Sequence, residues 1–192
     1  MLYRFSMRIL PRSTGVALAA LATLLLSGCV PSAPVVTPEP LPSSTPVFAS
    51  DEMALAAATE AYRAYLAMSD EITADGGANP ERISKFVGSE MLDKQIAQYA
   101  PFQERDLSTS GASSFDTMSV EQVDDRGDGS VEVTTYVCLD VSRVRILDAV
   151  GADVTSGDRV NRLPLEVSFA SRDQSGRLLI AQSDSWRGTN FC

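Results

Sequence analysis

The sequence predicts an α+β domain in which N-terminal helices pack on a curved, four-stranded antiparallel sheet. In residues 51–192, apolar side chains first recur at three-to-four spacing, as in amphipathic helices, and later alternate with polar ones, as in half-buried strands. Short turns rich in Gly, Asp and Ser join the alternating runs, which indicates a meander of neighbouring antiparallel strands.

Three helices are predicted, over residues 51–69, over residues 80–87, and from residue 89 up to Pro101. Ser50 suits the N-cap of the first helix, whose opening turn carries acids that favour the helix dipole. Gly76-Gly77 interrupts the chain, and Pro80 fits the first position of the second helix. Pro101 should end the third, because proline lacks the backbone donor that a helix interior needs.

Four strands are predicted, over residues 115–123, 131–141, 163–169 and 178–186. The second is the most regular, and it places Cys138 on the face opposite its valines. A further short strand over residues 144–147 is an alternative for the long connection that follows. We interpret residues 124–129, which contain an Arg-Gly-Asp tripeptide, as a glycine-rich hairpin turn, because a calcium loop needs more ligands at fixed positions.

The N-terminal segment is typical of an exported lipoprotein. Three arginines precede an apolar stretch over residues 16–26, which is too short to span a bilayer. The stretch ends in Leu26-Ser27-Gly28-Cys29, which resembles a bacterial lipobox. We expect a signal peptide over residues 1–28 and a lipid on Cys29 that anchors the protein at the extracytoplasmic face of the cell membrane. The alternatives are a soluble secretory cleavage site and an uncleaved short anchor.

Residues 29–50 are rich in Pro, Ser and Thr and predict an extended tether ahead of one folded domain, residues 51–192. Removal of residues 1–28, which hold three arginines and no acids, would change the net charge from −9 to −12. This acidic balance argues against a nucleic-acid partner, because phosphate binding requires a basic surface. The membrane is an expected partner through the lipid anchor on Cys29.

The remaining cysteines, Cys138 and Cys192, form an even pair in an oxidising compartment, and we predict a disulfide between them. A pair of free thiols is the alternative. The chain has no histidine, which excludes imidazole-based catalysis and the common zinc sites. We expect no metal and no cofactor.

Three helices followed by a four-stranded meander resemble the NTF2-like superfamily, whose sheet curves into a cone. Within it, the lipobox, the Pro-rich tether, the strand segment Tyr136-Val137-Cys138-Leu139-Asp140-Val141 and the ending Trp186-Arg187-Gly188-Thr189-Asn190-Phe191-Cys192 are similar to uncharacterised actinobacterial lipoproteins. The resemblance implies a fold and an apolar cone interior, and it assigns no activity, because such folds host many functions.

Some members of this superfamily are isomerases or dehydratases that use a buried carboxylate with a tyrosine or acidic donor. The resemblance makes Asp140, Asp184 and Tyr136 the candidate catalytic residues. The alternative is that these side chains lie on the outer sheet surface or cap strand ends, and no motif distinguishes one carboxylate. The sequence therefore favours a non-catalytic protein over a carbon-acid isomerase or dehydratase.

A pocket inside the cone would be lined by the aromatic residues Tyr62, Tyr65, Phe86, Tyr99 and Trp186, unless these side chains fill the core. One connection gathers the arginines Arg143, Arg145, Arg159 and Arg162, which either bind an anionic partner or solvate a hairpin end. We expect a protein that binds a small apolar ligand or a cell-envelope protein. A structural scaffold with a filled core is the alternative, and a homodimer is compatible with this shape.

Overall fold

The computed structural model describes residues 45–192, so the predicted signal peptide, Cys29 and most of the tether lie outside the described residues. The helices are α1 (Asp51–Ala74), a 3-10 helix (Pro80–Lys85), α2 (Ser89–Ala97) and α3 (Ala100–Glu104). The strands are β1 (Ser108–Ser110), β2 (Ser114–Asp125), β3 (Val131–Asp140), β4 (Arg145–Leu147), β5 (Arg162–Ser171) and β6 (Leu179–Ser185).

Helix α1 begins where the sequence predicts and runs more than a turn further. The Ser50 hydroxyl accepts a hydrogen bond from the N–H of Met53 at 3.4 Å, which caps the first turn. Ile72 is fully buried, so the apolar stripe of α1 continues past residue 69. The helix stops just before Gly76-Gly77, where both residues adopt positive φ.

Pro101 does not end a helix, which corrects the prediction. Helix α2 already ends at Ala97, and Pro101 lies in the first turn of α3, where a missing backbone N–H costs nothing. The segment that starts at Pro80 forms a 3-10 helix ending at Lys85. Both differences concern short helices whose boundaries depend on packing more than on intrinsic propensity.

The four predicted strands form one antiparallel sheet in the order β2-β3-β5-β6. Strands β3 and β5 pair without a register shift, from Val131 opposite Ser171 to Asp140 opposite Arg162. The β2–β3 and β5–β6 pairs each contain irregularities. A few helices packed against a four-stranded antiparallel sheet confirm the predicted α+β class.

A second, two-stranded sheet pairs β1 with β4. The alternative strand over residues 144–147 is thus present as β4, but it does not join the main sheet. Strand β1 was not predicted, because Ser-Thr-Ser carries no apolar alternation.

Helix α1 packs against one face of the main sheet and forms the core with it. The buried side chains of β3 and β5 on this face include Val133, Val137, Val167 and Phe169. Helix α1 contributes Ala54, Ala58, Tyr62, Leu66 and Ile72. Within residues 45–192, no helix combines the length and apolarity needed to cross a membrane.

Because side chains alternate along a strand, the remaining residues of β3 point to the other side of the sheet. We call this side the outer face. On β3 it carries Glu132, Thr134, Tyr136, Cys138 and Asp140.

Candidate functional site: a cleft beneath the C-terminal tail

The C-terminal tail, residues 186–192, folds back over the outer face. At the start of the tail, the Trp186 N–H donates a hydrogen bond to the Pro164 carbonyl on β5, at 2.9 Å. The tail ends at Cys192, which is disulfide-bonded to Cys138 on β3 with a Cα–Cα distance of 5.4 Å. This is the pair that the cysteine count predicts. The tail therefore crosses from β6 over β5 to β3 and is held at both ends.

Between the tail and the sheet lies a cleft of about 670 Å³, which we call the tail cleft. It is lined by Glu166, Asp184, Ser185, Trp186, Arg187 and Gly188. The sheet register sets its floor, because Tyr136 lies opposite Glu166 and Glu166 lies opposite Asp184. Residues directly opposite each other share a face, so one aromatic ring and two carboxylates form a row across three strands.

Like charges placed directly opposite each other destabilise a sheet. Glu166 and Asp184 nevertheless occupy such positions, and no ion pair in the described part of the chain includes either carboxylate. Asp184 accepts a hydrogen bond from the Gln182 amide at 2.6 Å. The cleft thus holds two carboxylates that form no ion pair with a basic side chain of the described residues.

Three aromatic rings form a cluster beside the cleft, and of these Trp186 lines it. The ring centroid of Tyr136 lies 4.8 Å from that of Trp186 and 6.0 Å from that of Phe191. The Trp186 indole N–H donates to the Thr189 carbonyl at 3.1 Å, which fixes the orientation of the ring. A Cβ at Gly188 would approach the indole Cζ2 to 2.5 Å, so a side chain there would force the indole ring or the tail to shift.

Tyr136 acts as a neutral hydrogen-bond donor on the outer face. The hydrogen bond to the Glu121 carboxylate, followed by desolvation and by the charges of Glu121 and Glu166, raises the pKa of Tyr136 to about 12. The phenol therefore keeps its proton at neutral pH and can donate it in a hydrogen bond.

Asp140, the first catalytic candidate, is engaged in structural contacts. It accepts the Ser142 N–H at 2.8 Å and the Arg162 guanidinium at 3.1 Å. The hydrogen bonds from Ser142, and after them the contact with Arg162, hold the pKa of Asp140 below its ordinary value. A carboxylate stabilised in its ionised form is a poor general base for a carbon acid.

The remaining catalytic candidates, Tyr136 and Asp184, lie two strands apart on this same open face. Asp184 is exposed, and Tyr136 is half-buried beneath the tail. The structure therefore places all three candidates on the surface side of the sheet, away from the apolar interior in which the enzymatic hypothesis placed them.

The five aromatic residues predicted to line a pocket do not share one. Tyr62 and Tyr99 are each 2% exposed and belong to the packed core beside α1. Tyr65 and Phe86 are half-buried around this core. Trp186 contacts Tyr136 on the opposite side of the sheet. The helical spacing of the tyrosines predicts a buried surface, and the structure agrees. These side chains pack into the core, however, and do not line an open pocket.

The structure does not gather the arginines near the long connection into a free basic patch. These arginines are Arg143, Arg145, Arg159 and Arg162. Arg159 donates to the carbonyls of Val141 and Val144 at 2.8 and 2.9 Å. Arg145 pairs with Asp153 at 3.6 Å. These side chains hold the connection together, and of the four only Arg143 is left exposed without a hydrogen bond to the described residues.

Arg162 joins the sheet to the tail. Its guanidinium contacts Asp116 at 2.9 Å and Asp140 at 3.1 Å, and its Nε donates to the Cys192 carbonyl at 3.3 Å. One side chain thus bridges β2, β3 and the end of the tail next to the disulfide.

The turn at residues 124–129 is a hairpin, as predicted, closed by Asp125 opposite Val131. Asp125 accepts the Gly127 N–H and Asp128 accepts the Ser130 N–H, each at 2.8 Å. No group of residues within 45–192 has the composition and geometry of a metal site.

The depressed pKa of Asp140 gives a testable pH dependence. A carboxyl whose pKa is lower in the folded than in the unfolded state stabilises the fold above its unfolded pKa, and this contribution is lost as the pH falls through the folded pKa. The free energy of unfolding of wild type should therefore exceed that of Asp140→Asn at pH 6, and the gap should shrink towards pH 2.5. Urea unfolding across this range measures it, with the exposed Asp93→Asn as control. A gap independent of pH would contradict the assignment.

Sequence analysis missed Glu166, Glu121 and Phe191. Alternation along β5 would have placed Glu166 on the polar face, but only the register shows that it meets Asp184. Phe191 reaches Tyr136 because the tail reverses direction after β6, and no sequence motif marks that reversal.

No protein-family model and no curated protein matches the chain. Solved structures that the chain matches include the intermembrane space region of the chloroplast protein ARC6, with a TM-score of 0.49 and 12% identity over 68% of this chain and 95% of that one. They also include a periplasmic fragment of TraM, with a TM-score of 0.45 and 10% identity over 72% of this chain and 98% of that one. At these values no function is transferred from either structure.

Proposed function

We propose that the protein is a lipid-anchored, extracytoplasmic binding protein of a bacterial envelope, that it is not an enzyme, and that it engages a protein partner at the tail cleft. The location is supported by the three N-terminal arginines, the short apolar stretch and the lipobox-like sequence that ends at Cys29. The Cys138–Cys192 pair also supports it, because disulfides persist in oxidising compartments.

The lipid anchor predicts how the protein partitions. Wild-type protein from its native host should enter the detergent phase of a Triton X-114 extraction, whereas Cys29→Ala should move to the aqueous phase or remain as an uncleaved precursor. The nearby variant Ser32→Ala should behave as wild type. Mature-sized Cys29→Ala in the detergent phase would contradict lipidation at this residue.

A surface partner is favoured over a small apolar ligand. The space between α1 and the sheet is filled by fully buried side chains such as Phe169, Ile83 and Ile180. The tail cleft, in contrast, is open and has charged side chains in its lining, among them Glu166 and Asp184. Small apolar ligands prefer enclosed apolar cavities, whereas open clefts with fixed aromatic rings suit protein partners.

One observation carries this proposal: Glu166 and Asp184 lie opposite each other on the sheet, without an ion pair, beside the fixed Trp186 ring. Two carboxylates that lie opposite each other without a cation weaken the pairing of the strands. A sheet face with a structural role alone would not require them. A bound partner would remove this cost.

Site-specific photocrosslinking in the native host tests the proposal. A photoreactive residue at Arg187, which is exposed and lines the cleft, should yield a discrete adduct with one envelope protein. The same residue at exposed Glu71 on α1 should not yield it, and the adduct at Arg187 should be lost when Glu166→Gln and Asp184→Asn are added. Equal adducts at both positions, or none at Arg187, would contradict a binding site in the cleft.

We further infer a distant relation to the NTF2-like superfamily. The order of helices before a meander and the packing of a long first helix on the sheet support it. This relation concerns the fold alone, and the proposed partner is inferred from the residues of the outer face.

A further inference from the structure

We propose that the partner inserts a cationic side chain, a lysine or arginine of a basic protein segment, into the tail cleft between Glu166 and Asp184. This inference rests on the proposed function and specifies the chemistry of its partner.

The charges on the outer face are unbalanced at the cleft. Elsewhere on this face, Glu132 is paired with Arg126 and Asp140 with Arg162, while Glu121 accepts a hydrogen bond from Tyr136. Arg187 lines the cleft but lies outside ion-pair distance of both carboxylates. A cation placed between two carboxylates on adjacent strands would be attracted by both and would relieve their mutual repulsion.

The aromatic cluster suits the apolar part of such a side chain. Long cationic residues bury their methylene stem along apolar surface while the charged end remains at a polar site. The Trp186 ring supplies that surface beside the carboxylates, with Tyr136 packed against it and Phe191 against Tyr136, and the negative faces of aromatic rings attract cations.

The charge of the chain excludes two other occupants. A second copy would bring its own Glu166 and Asp184 against the same acidic face, so pairing of two outer faces is disfavoured. An anionic lipid surface would be repelled for the same reason. Charge complementarity therefore favours a basic protein segment.

Trp186 provides a direct readout, because it is the only tryptophan in the chain and it lies in the cleft. The experiment titrates the polypeptide from Val30 to Cys192 with a peptide of alternating Lys and Thr and follows tryptophan fluorescence. The comparison peptides replace every Lys with Ser or with Glu. The Lys peptide should shift the emission saturably, its affinity should fall with added salt, and the other two peptides should have little effect.

The matched variants change the same number of charges. Glu166→Gln with Asp184→Asn should weaken binding of the Lys peptide at least about tenfold, at roughly 1.4 kcal/mol per factor of ten. Glu60→Gln with Glu71→Gln, on exposed positions of α1, should change it by less than about threefold. Equal losses in the two double variants would show attraction to the net charge alone and would overturn the inference.

Equal binding of the Ser and Lys peptides, or no binding of the Lys peptide, would also overturn it. Failure of the broader proposal is distinguishable from this result. An adduct at Arg187 that depends on the two carboxylates, together with silent peptides, would leave the site intact and remove only the cationic chemistry.

Discussion

Phe169→Ala should lower the free energy of unfolding by about 3 to 5 kcal/mol, the range for removing a fully buried aromatic side chain. Phe169 lies on β5, is 0% exposed, and meets the Tyr62 ring of α1 edge-on at 6.4 Å between centroids. It therefore fills the centre of the interface between the helix and the sheet. A cavity left there cannot collapse easily, because the surrounding strands are fixed by β3–β5 pairing on one side.

Urea unfolding followed by circular dichroism measures this loss. Val150→Ala is the control, because Val150 is 87% exposed in a turn and its truncation should change stability by at most about 0.5 kcal/mol. If Phe169→Ala unfolded at the same urea concentration as wild type, Phe169 would not face α1, and the β5 register would be wrong by one residue.

The core face could be predicted from the sequence because it depends on local periodicity. Val131, Val133 and Val137 alternate with polar residues, and all three are buried. The same alternation placed Cys138 opposite the valines, where the tail reaches it. Pro101 was misinterpreted because its effect depends on its position within a helix, which in turn depends on where α2 ends.

The functional site was less accessible to sequence reasoning. Tyr136, Asp184 and Trp186 were singled out separately, for catalysis and for a pocket, and the structure brings them near one cleft through the β3–β5–β6 register. That register depends on pairing between residues distant in sequence, and a bulge shifts it in β5–β6. Whether the space between α1 and the sheet is filled depends on side-chain volumes from several elements at once.

The second large effect concerns the disulfide. Replacing both Cys138 and Cys192 with alanine should lower the free energy of unfolding by about 4 kcal/mol in the chain-entropy model, because the bridge closes a loop with a sequence separation of 54. The same change should release the tail and move Trp186 away from Tyr136, which shifts its fluorescence towards that of a solvated indole.

Urea unfolding and tryptophan emission of the polypeptide from Val30 to Cys192 measure both effects, with reductant as the internal control. Reductant should destabilise wild type and leave the double variant unchanged, since this polypeptide holds no other cysteine.

The two readouts separate stability from site formation. A variant that is destabilised but keeps the wild-type emission would show that Arg162 and the Gly188 contact position the tail without the bridge. An unchanged stability would show that Cys138 and Cys192 are not bonded in solution. Loss of both, together with loss of binding to the Lys peptide, would establish that the disulfide builds the cleft by holding the tail against β3.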